Sequence, residues 1–432
     1  MNCTTTNACG DKTRDRVRLA FVNQPWNQAV PPVDSGSVAI WTYQVARSLA
    51  ADADLAVVSR RVPGVQTMIT HDGVCYRRVP SRPEPFGPVA RLRRLFVNDS
   101  VLPRFATPNY YAAYFRRVAS DLAFWCPDVV HVHNLFQALP VLHDKLPKAR
   151  IVLHMHCEWL SQLPSEHVKS YLQAADWIAT CSDHVREALT DALPEWFDRS
   201  STLPNGVDTT AFAPCDERSS VISPKTILFV GRISPEKGIH LLIGAFQKIA
   251  ERFDDVKLLI VGPDAPTPAE FLVDLSVDSV VKDLQRFYGA ETYGNTLRKQ
   301  VPDYLADRVS FAGAVSHAEL RDLYRNAAVL VNPSLSESFG MSVIEAMACG
   351  CPVVVARTGG MKSVVRHEVN GLVVSPSDSD ALAASVSRLL ADPVLARRLA
   401  AAGRMHTVEL YDWTKVAAQT LELHRRLWGG SR

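Results

Sequence analysis

Short apolar runs recur along the chain, each followed by a polar loop and then by apolar residues at helical spacing. The first covers 17–22 (VRLAFV) and predicts a strand; a proline-rich loop over 24–36 leads into a helix over 38–50. Strand, loop and helix in that order make the opening unit of a doubly wound sheet. Strands follow at 55–59, 128–133, 150–156 and 176–182, with helices over 110–125 and 183–192. Residues 80–109 read as a long loop-rich stretch, and 203–212 (LPNGVDTTAF) as a turn-rich segment. After that segment the pattern restarts. Strands are predicted at 226–230, 256–262, 309–313, 329–331, 352–355 and 372–374. Helices are predicted from 238 to 251 and over 318–326, 341–348, 381–390 and 413–428, the last after a break over 406–412. Residues 263–307 make a longer connection than a strand–helix unit needs, and Leu272, Leu275, Leu284 and Phe287 suggest helical pieces within it.

Two such series in 432 residues exceed one ordinary core, so two domains are expected. Composition changes this picture little: 47% hydrophobic and 21% charged residues describe a folded protein. The net charge of +2 supplies no global drive toward nucleic acid. No apolar run approaches the roughly 18 residues of a membrane span, and the polar stretch 1–15 reads as a flexible tail without a secretory h-region. Nine cysteines, odd in number and scattered, suggest no disulfide framework and a reducing, cytoplasmic setting. Cys349 and Cys351 read as small residues around a helix stop rather than half a metal site.

The candidate chemistry concentrates in VNPSLSESFGMSVIEAMACG, residues 331–350. A strand end, a polar loop and a helix start meet at Ser338-Phe339-Gly340-Met341. Backbone N–H groups without helical partners and the helix dipole favour an anion there, and Gly340 lets backbone come close to it. Glu337 stands before the helix and Glu345 about a turn inside it. Carboxylates are poor phosphate ligands but accept well from sugar hydroxyls, so two of them flanking an anion nest suit a nucleotide-sugar.

The longer string ESFGMSVIEAMACGCPVV resembles glycosyltransferase family 4, retaining transferases of the GT-B fold with two Rossmann-like domains facing a cleft. The resemblance implies that Glu337 contacts the donor sugar, Glu345 the ribose, and the turn between them the diphosphate. Gly231-Arg232 with Lys237-Gly238 matches the family's Gly-Arg-x4-Lys-Gly, which implies that Arg232 and Lys237 bring two cations to the diphosphate. Gly36, in Ser35-Gly36 or Gly36-Ser37, matches the place where the family carries Gly-Gly before its first helix, and implies a backbone contact with the donor phosphates. His156 matches a histidine lining the place where donor and acceptor meet. LPNGVDTTAF resembles the start of the family's second domain, and the terminal helix the one that crosses back. The implied division is 16–205, completed by 410–432, for the acceptor, and 206–409 for the nucleotide-sugar.

Catalysis is then expected from Arg232, Lys237 and the amides of 339–341 on the leaving diphosphate, with His156 and Glu337 at the reacting sugar and no metal or other cofactor required. The partners implied are a nucleotide-sugar donor and a small-molecule or saccharide acceptor, without nucleic acid or integral membrane association. Short strings in 33–49 and 263–307 look similar to transferases that decorate aminoglycoside antibiotics, and Asp34 and Glu158 would suit a polycationic acceptor. Capsule, exopolysaccharide or spore-coat polysaccharide synthesis is the other main expectation. A lipid-linked acceptor has only the basic residues Arg91, Arg93 and Arg94 in its support. Two further classes stay open. One is a sugar-phosphate-forming or epimerising enzyme; the other is a metal-dependent hydrolase built on His131, His133, His154 and His156, which alternation places on shared strand faces.

Overall fold

The computed structural model describes residues 16–82, 102–215 and 225–430. The expected tail over 1–15 and the basic residues 91–94 lie outside them. The chain forms two compact units. One comprises residues 1–181, 185–204 and 414–432; the other comprises 182–184 and 205–413. The chain thus returns to the first unit between Trp413 and Thr414.

The first unit holds an eight-stranded sheet in the order β3-β4-β2-β1-β5-β6-β7-β8. The strands are β1 (Arg18–Val22), β2 (Asp54–Arg60), β3 (Met68–His71), β4 (Val74–Val79), β5 (Val129–His133), β6 (Arg150–Met155), β7 (Trp177–Thr180) and β8 (Ser200–Thr202). All pair in parallel except β3, which closes one edge against β4. β1, β4 and β5 are buried along their whole length. β1 therefore reads as an unbroken apolar run, whereas β4 (VCYRRV) and β5 (VVHVH) bury polar side chains, and β4 gave no strand signal in the sequence. The edge strand β3 alternates exposed and half-buried residues, Met-Ile-Thr-His, too weak a pattern to stand out in the sequence.

The second unit is a six-stranded, fully parallel sheet in the order β11-β10-β9-β12-β13-β14. Its strands are β9 (Lys225–Val230), β10 (Val256–Val261), β11 (Val309–Gly313), β12 (Val329–Asn332), β13 (Val353–Ala356) and β14 (Leu372–Val374). The core gathers Phe229, Phe246, Ile260 and Val331 with Leu382 and Leu399 from the covering helices. The strand order reverses between β9 and β12. At such a switch point two loops leave neighbouring strand ends in opposite directions and open a crevice. Both sheets therefore have the doubly wound form of a Rossmann-like domain.

Two expectations need correction. The break over 406–412 is only a two-residue turn: the helix Pro393–Leu410 continues through His406 and Thr407, which are buried on its inner face, and Tyr411-Asp412 separates it from the helix Trp413–Gly429. The turn is fixed by pairing of Val207 with Asp412 and by the Asp412 carboxylate, which accepts from the Thr209 hydroxyl. Cys75 and Cys126 are each engaged in a disulfide, whereas the scattered spacing predicted none. Pairing of isolated cysteines depends on tertiary proximity, which spacing does not carry. Five others, Cys157, Cys181, Cys215, Cys349 and Cys351, are thiols outside any disulfide. Among the described residues no helix is long and apolar enough to cross a membrane.

Candidate active site

In the second unit the loops leaving β9 and β12 emerge side by side because those strands are neighbours. The first carries Gly231, Arg232 and Lys237; the second carries Glu337 and runs into the helix Met341–Ala348. Lys237 Nζ donates to Glu337 Oε2 at 2.7 Å, with both side chains largely buried (17% and 15% exposed). Burial alone would raise the Glu337 pKa. Lys237, the Phe339 N–H and the Asn332 side chain more than offset that, and hold the carboxyl below its ordinary range. Glu337 is therefore an ionised, fixed acceptor, able to receive sugar hydroxyls on whatever lone pairs these partners leave.

Arg232 projects further out, with its side chain half exposed, and its Nη2 lies 3.5 Å from the buried carboxylate of Glu236. Glu236 carries no signal of its own in the sequence, since a glutamate between proline and lysine in a loop reads as surface charge. Both expected phosphate cations are thus matched with a carboxylate, Lys237 with Glu337 and Arg232 with Glu236.

The helix over 341–348 starts at Gly340, whose φ of +99° lies in the region that favours glycine. A Cβ there would stand 1.9 Å from Met361 Cε, the movable end of a flexible side chain, so it is the backbone conformation rather than the space that calls for glycine at this corner. One expected anion donor is otherwise engaged: the Phe339 N–H bonds to Glu337. The Phe339 ring packs edge-on against Tyr411 at 5.5 Å. Ser338 and Met341 flank the corner, both half-buried.

Glu345 sits one turn into the helix and is buried. It accepts from Tyr324 Oη at 2.8 Å, and His317 Nε2 lies 3.9 Å from its other oxygen. Burial pushes its pKa up to about 7, with the tyrosine hydrogen bond acting in the opposite direction. Near neutral pH it alternates between donor and acceptor forms, both able to bind a hydroxyl.

The next strand end supplies residues that sequence reasoning missed. After β13, Gly360 N–H donates to the Glu337 carbonyl at 2.9 Å. Gly359, at φ +48°, comes so close that a Cβ would lie 1.9 Å from the same carbonyl. The available signal was a Gly-Gly pair directly after a predicted strand, on the strand next to the one carrying Glu337.

In the first unit, Gly36 caps the helix Ser37–Leu49 with φ +79°, and a Cβ placed on it would meet nothing nearer than Ala39 Cβ at 3.9 Å. Asp34 is exposed. Glu158 is half-buried, and its carbonyl starts the short helix Trp159–Gln162 by accepting from Ser161 N–H at 3.0 Å. His156, at the end of β6, has its N–H bound to Asn134 Oδ1 at 2.6 Å.

His156 also ends one of two hydrogen-bonded histidine chains. Its Nε2 lies 3.0 Å from His133 Nδ1, and His133 Nε2 lies 3.0 Å from Thr42 Oγ1. The second chain runs from His424 Nε2 to His131 Nδ1 (2.9 Å), from His131 Nε2 to His154 Nδ1 (3.1 Å), and from His154 Nε2 to the Leu203 carbonyl (3.0 Å). A carbonyl only accepts, so His154 Nε2 carries the proton, and His131 then donates from Nε2 and accepts at Nδ1. His424 donates from Nε2, while its buried Nδ1 has no partner among the described residues. His131, His133 and His154 do bring ligand atoms within 4.8 Å of one another. In the structure these nitrogens hydrogen-bond to each other, to Thr42 and to Leu203, and among the described residues no carboxylate joins them. The geometry is that of a neutral hydrogen-bonded array.

This array predicts acid lability of the first unit. Burial holds His131, His133 and His154 well below the ordinary histidine pKa and His424 down to about 3. Folded pKa values below the unfolded value mean that the stabilisation is complete above about pH 6.5 and lost as pH falls. Each histidine left neutral costs about 1.4 kcal/mol per pH unit below that point. The urea midpoint of the first unit is expected to fall steeply between about pH 6.5 and about pH 5. A midpoint constant across that window contradicts the neutral array.

Comparison with known proteins agrees with these features. Residues 217–406 match the family described as "Glycosyl transferases group 1" and residues 38–211 the one described as "Glycosyltransferase Family 4". Alpha-maltose-1-phosphate synthase of Mycolicibacterium smegmatis is 31% identical over 326 residues, 71% of this chain and 75% of that protein. Among solved structures, sucrose-phosphate synthase from Thermosynechococcus elongatus is 25% identical with a TM-score of 0.69, over 96% of this chain and all of that one. HepE from Anabaena, solved with UDP-glucose, shares the fold at 19% identity with a TM-score of 0.68, over 95% of this chain and all of that one.

Proposed function

We propose, for a chain that belongs to the glycosyltransferases of group 1 and family 4 and is a GT-B enzyme using nucleotide-sugars, that it is a retaining transferase moving a hexose or amino-hexose from a UDP-sugar to an acceptor hydroxyl. The observation that carries this is the buried Lys237–Glu337 pair at 2.7 Å beside the glycine-started helix at 341. A cation, amide donors and a fixed carboxylate stand together at one switch point, a set that suits a diphosphate with a sugar attached. The solved HepE complex with UDP-glucose supports uridine as the nucleoside.

In this reading Lys237 and Arg232 stabilise charge gathering on the leaving diphosphate, together with the first-turn amides of the helix at 341. Glu337 orients the donor sugar through its hydroxyls, and Glu345 takes the ribose. His156 and Gly36 act from the first unit, with Asp34 and Glu158 toward the acceptor. The acceptor attacks the face the diphosphate leaves, so the anomeric configuration is retained, and no step needs a metal. Cytoplasmic placement belongs to the same reading; the five cysteines outside any disulfide support it, and Cys75 and Cys126, each in a disulfide, stand against it.

For the acceptor, an aminoglycoside precursor and a capsule, exopolysaccharide or spore-coat saccharide are both retained. A phosphorylated sugar is a third class, drawn from the names of the two synthases resembled. The test is a matrix of UDP-sugars against aminocyclitols, sugar phosphates and oligosaccharides, reading UDP release and product mass. The expected result is acceptor-dependent UDP release with one donor and an axial linkage retained from it. Turnover only with another nucleotide, or an inverted product, overturns the reading.

A further inference from the structure

The insertion over 263–307 has so far had no role, and Glu236 has been described only as a partner of Arg232. We propose that Glu236 and Thr267 together form a positioning clamp for the diphosphate site, which makes this insertion a working part of the donor pocket. The inference rests on the donor reading above.

Glu236 is 3% exposed. A buried carboxylate is costly unless it is well hydrogen-bonded, and one set beside a phosphate site would also repel the ligand. Its partners explain its presence. The carboxylate accepts from the Ser234 hydroxyl and, at 2.7 Å, from Thr267 Oγ1 of the insertion, while facing Arg232. Thr267 N–H in turn donates to Ser234 Oγ at 2.9 Å, and the Thr267 carbonyl accepts from Tyr288 Oη at 2.8 Å. The side chain of Glu236 thus ties the Arg232–Lys237 loop to the insertion.

Its backbone ties that loop to the Glu337 loop. The Glu236 carbonyl accepts from Leu335 N–H at 2.8 Å and Ser336 N–H at 3.4 Å, just ahead of Glu337 in the chain. Leu335 itself is buried in a small apolar cluster with Val273, Val281 and Leu284, all from the insertion. One residue therefore sets the spacing of both cation-bearing and carboxylate-bearing loops, and the insertion holds that residue from two sides. The two ion pairs, Arg232–Glu236 and Lys237–Glu337, also leave the loops locally neutral before an anion arrives. A diphosphate that reaches the outer face of Arg232 and Lys237 then meets cations already oriented by carboxylates that stay in place.

The direct test replaces the insertion's hydroxyl donor to Glu236. Thr267→Val keeps the shape and removes the hydroxyl; Thr267→Ser restores it. UDP affinity is measured by calorimetry, alongside KM for the donor, kcat and thermal midpoint. The expected result is a roughly tenfold weaker UDP affinity and a similar rise in KM for Thr267→Val, the loss of about one hydrogen bond to a charged group. Little change in kcat is expected. The thermal midpoint of Thr267→Val should fall by a few degrees, since a buried carboxylate loses a donor. Thr267→Ser should return both affinity and midpoint close to wild type, the affinity to within about twofold. Wild-type UDP affinity in Thr267→Val, or a serine variant as weak as the valine one, overturns the clamp while leaving the donor reading intact. Failure of the wild-type protein to bind UDP overturns both.

Discussion

Lys237→Ala is expected to lower kcat/KM for the donor about a thousandfold, equivalent to roughly 4 kcal/mol of transition-state stabilisation. The lysine reaches its site from the loop after β9 and is held by Glu337 at 2.7 Å, mostly out of water. A cation in that setting acts on a departing diphosphate with little screening. The same substitution strips Glu337 of its counter-charge, and an unpaired buried carboxylate destabilises by about 3 kcal/mol. Activity loss and stability loss must therefore be separated. The double variant Lys237→Ala, Glu337→Gln removes the stranded charge, so its thermal midpoint should recover while activity stays low. Activity that recovers along with the midpoint shows that the lysine is structural.

Gly359→Ala should produce the second largest effect, from a residue with no functional group at all. Its φ of +48° disfavours any side chain, and the new Cβ would fall 1.9 Å from the Glu337 carbonyl oxygen. That carbonyl is also the acceptor for Gly360 N–H. Backbone cannot yield as a flexible side chain can, so Glu337 must shift. We expect a destabilisation of about 2 kcal/mol from strain and clash. Turnover should drop about a hundredfold, because a displacement near 1 Å at a positioning group costs about that much. Steady-state kinetics and a thermal melt measure both. Near-normal turnover would mean that the Glu337 carbonyl has room to move and that the close packing at this corner is not functional.

These two residues also mark what the sequence discloses and what it hides. Lys237 and Glu337 were legible because each sits in a short string that joins a strand end to a helix start, and parallel strands put such loops at one edge. The strand and helix pattern likewise disclosed both doubly wound sheets, since their central strands are buried on both faces and read as plain apolar runs. Gly359 and Glu236 were not legible. Their roles come from backbone approach and from hydrogen bonds to other segments, and neither a Gly-Gly pair after a strand nor a loop glutamate shows which segment it meets.

The histidines divide the same way. Alternation placed His131 with His133 and His154 with His156, because a strand of period two sends alternate residues to one face. It could not supply His424, which reaches His131 from a helix 293 positions along the chain. Without it the paired histidines invited a metal reading. With it, and with Leu203 accepting at the far end, His131 and His154 form a chain with a fixed proton direction, while His133 and His156 form a second one that ends on Thr42. The Phe339 amide was misjudged for a related reason: the helix start offers several N–H groups, and only the fold decides that this one turns to Glu337.

The central claim is that the switch point between β9 and β12 is a nucleoside-diphosphate site. Calorimetric titration with UDP tests it most directly, comparing the wild-type protein with Arg232→Ala and Lys237→Ala under conditions where all three melt cooperatively. The account predicts one UDP bound per wild-type chain and affinity at least about tenfold weaker in each variant, as expected for loss of a charge-assisted phosphate contact. Equal affinity in all three proteins, or no binding by the wild type, contradicts it.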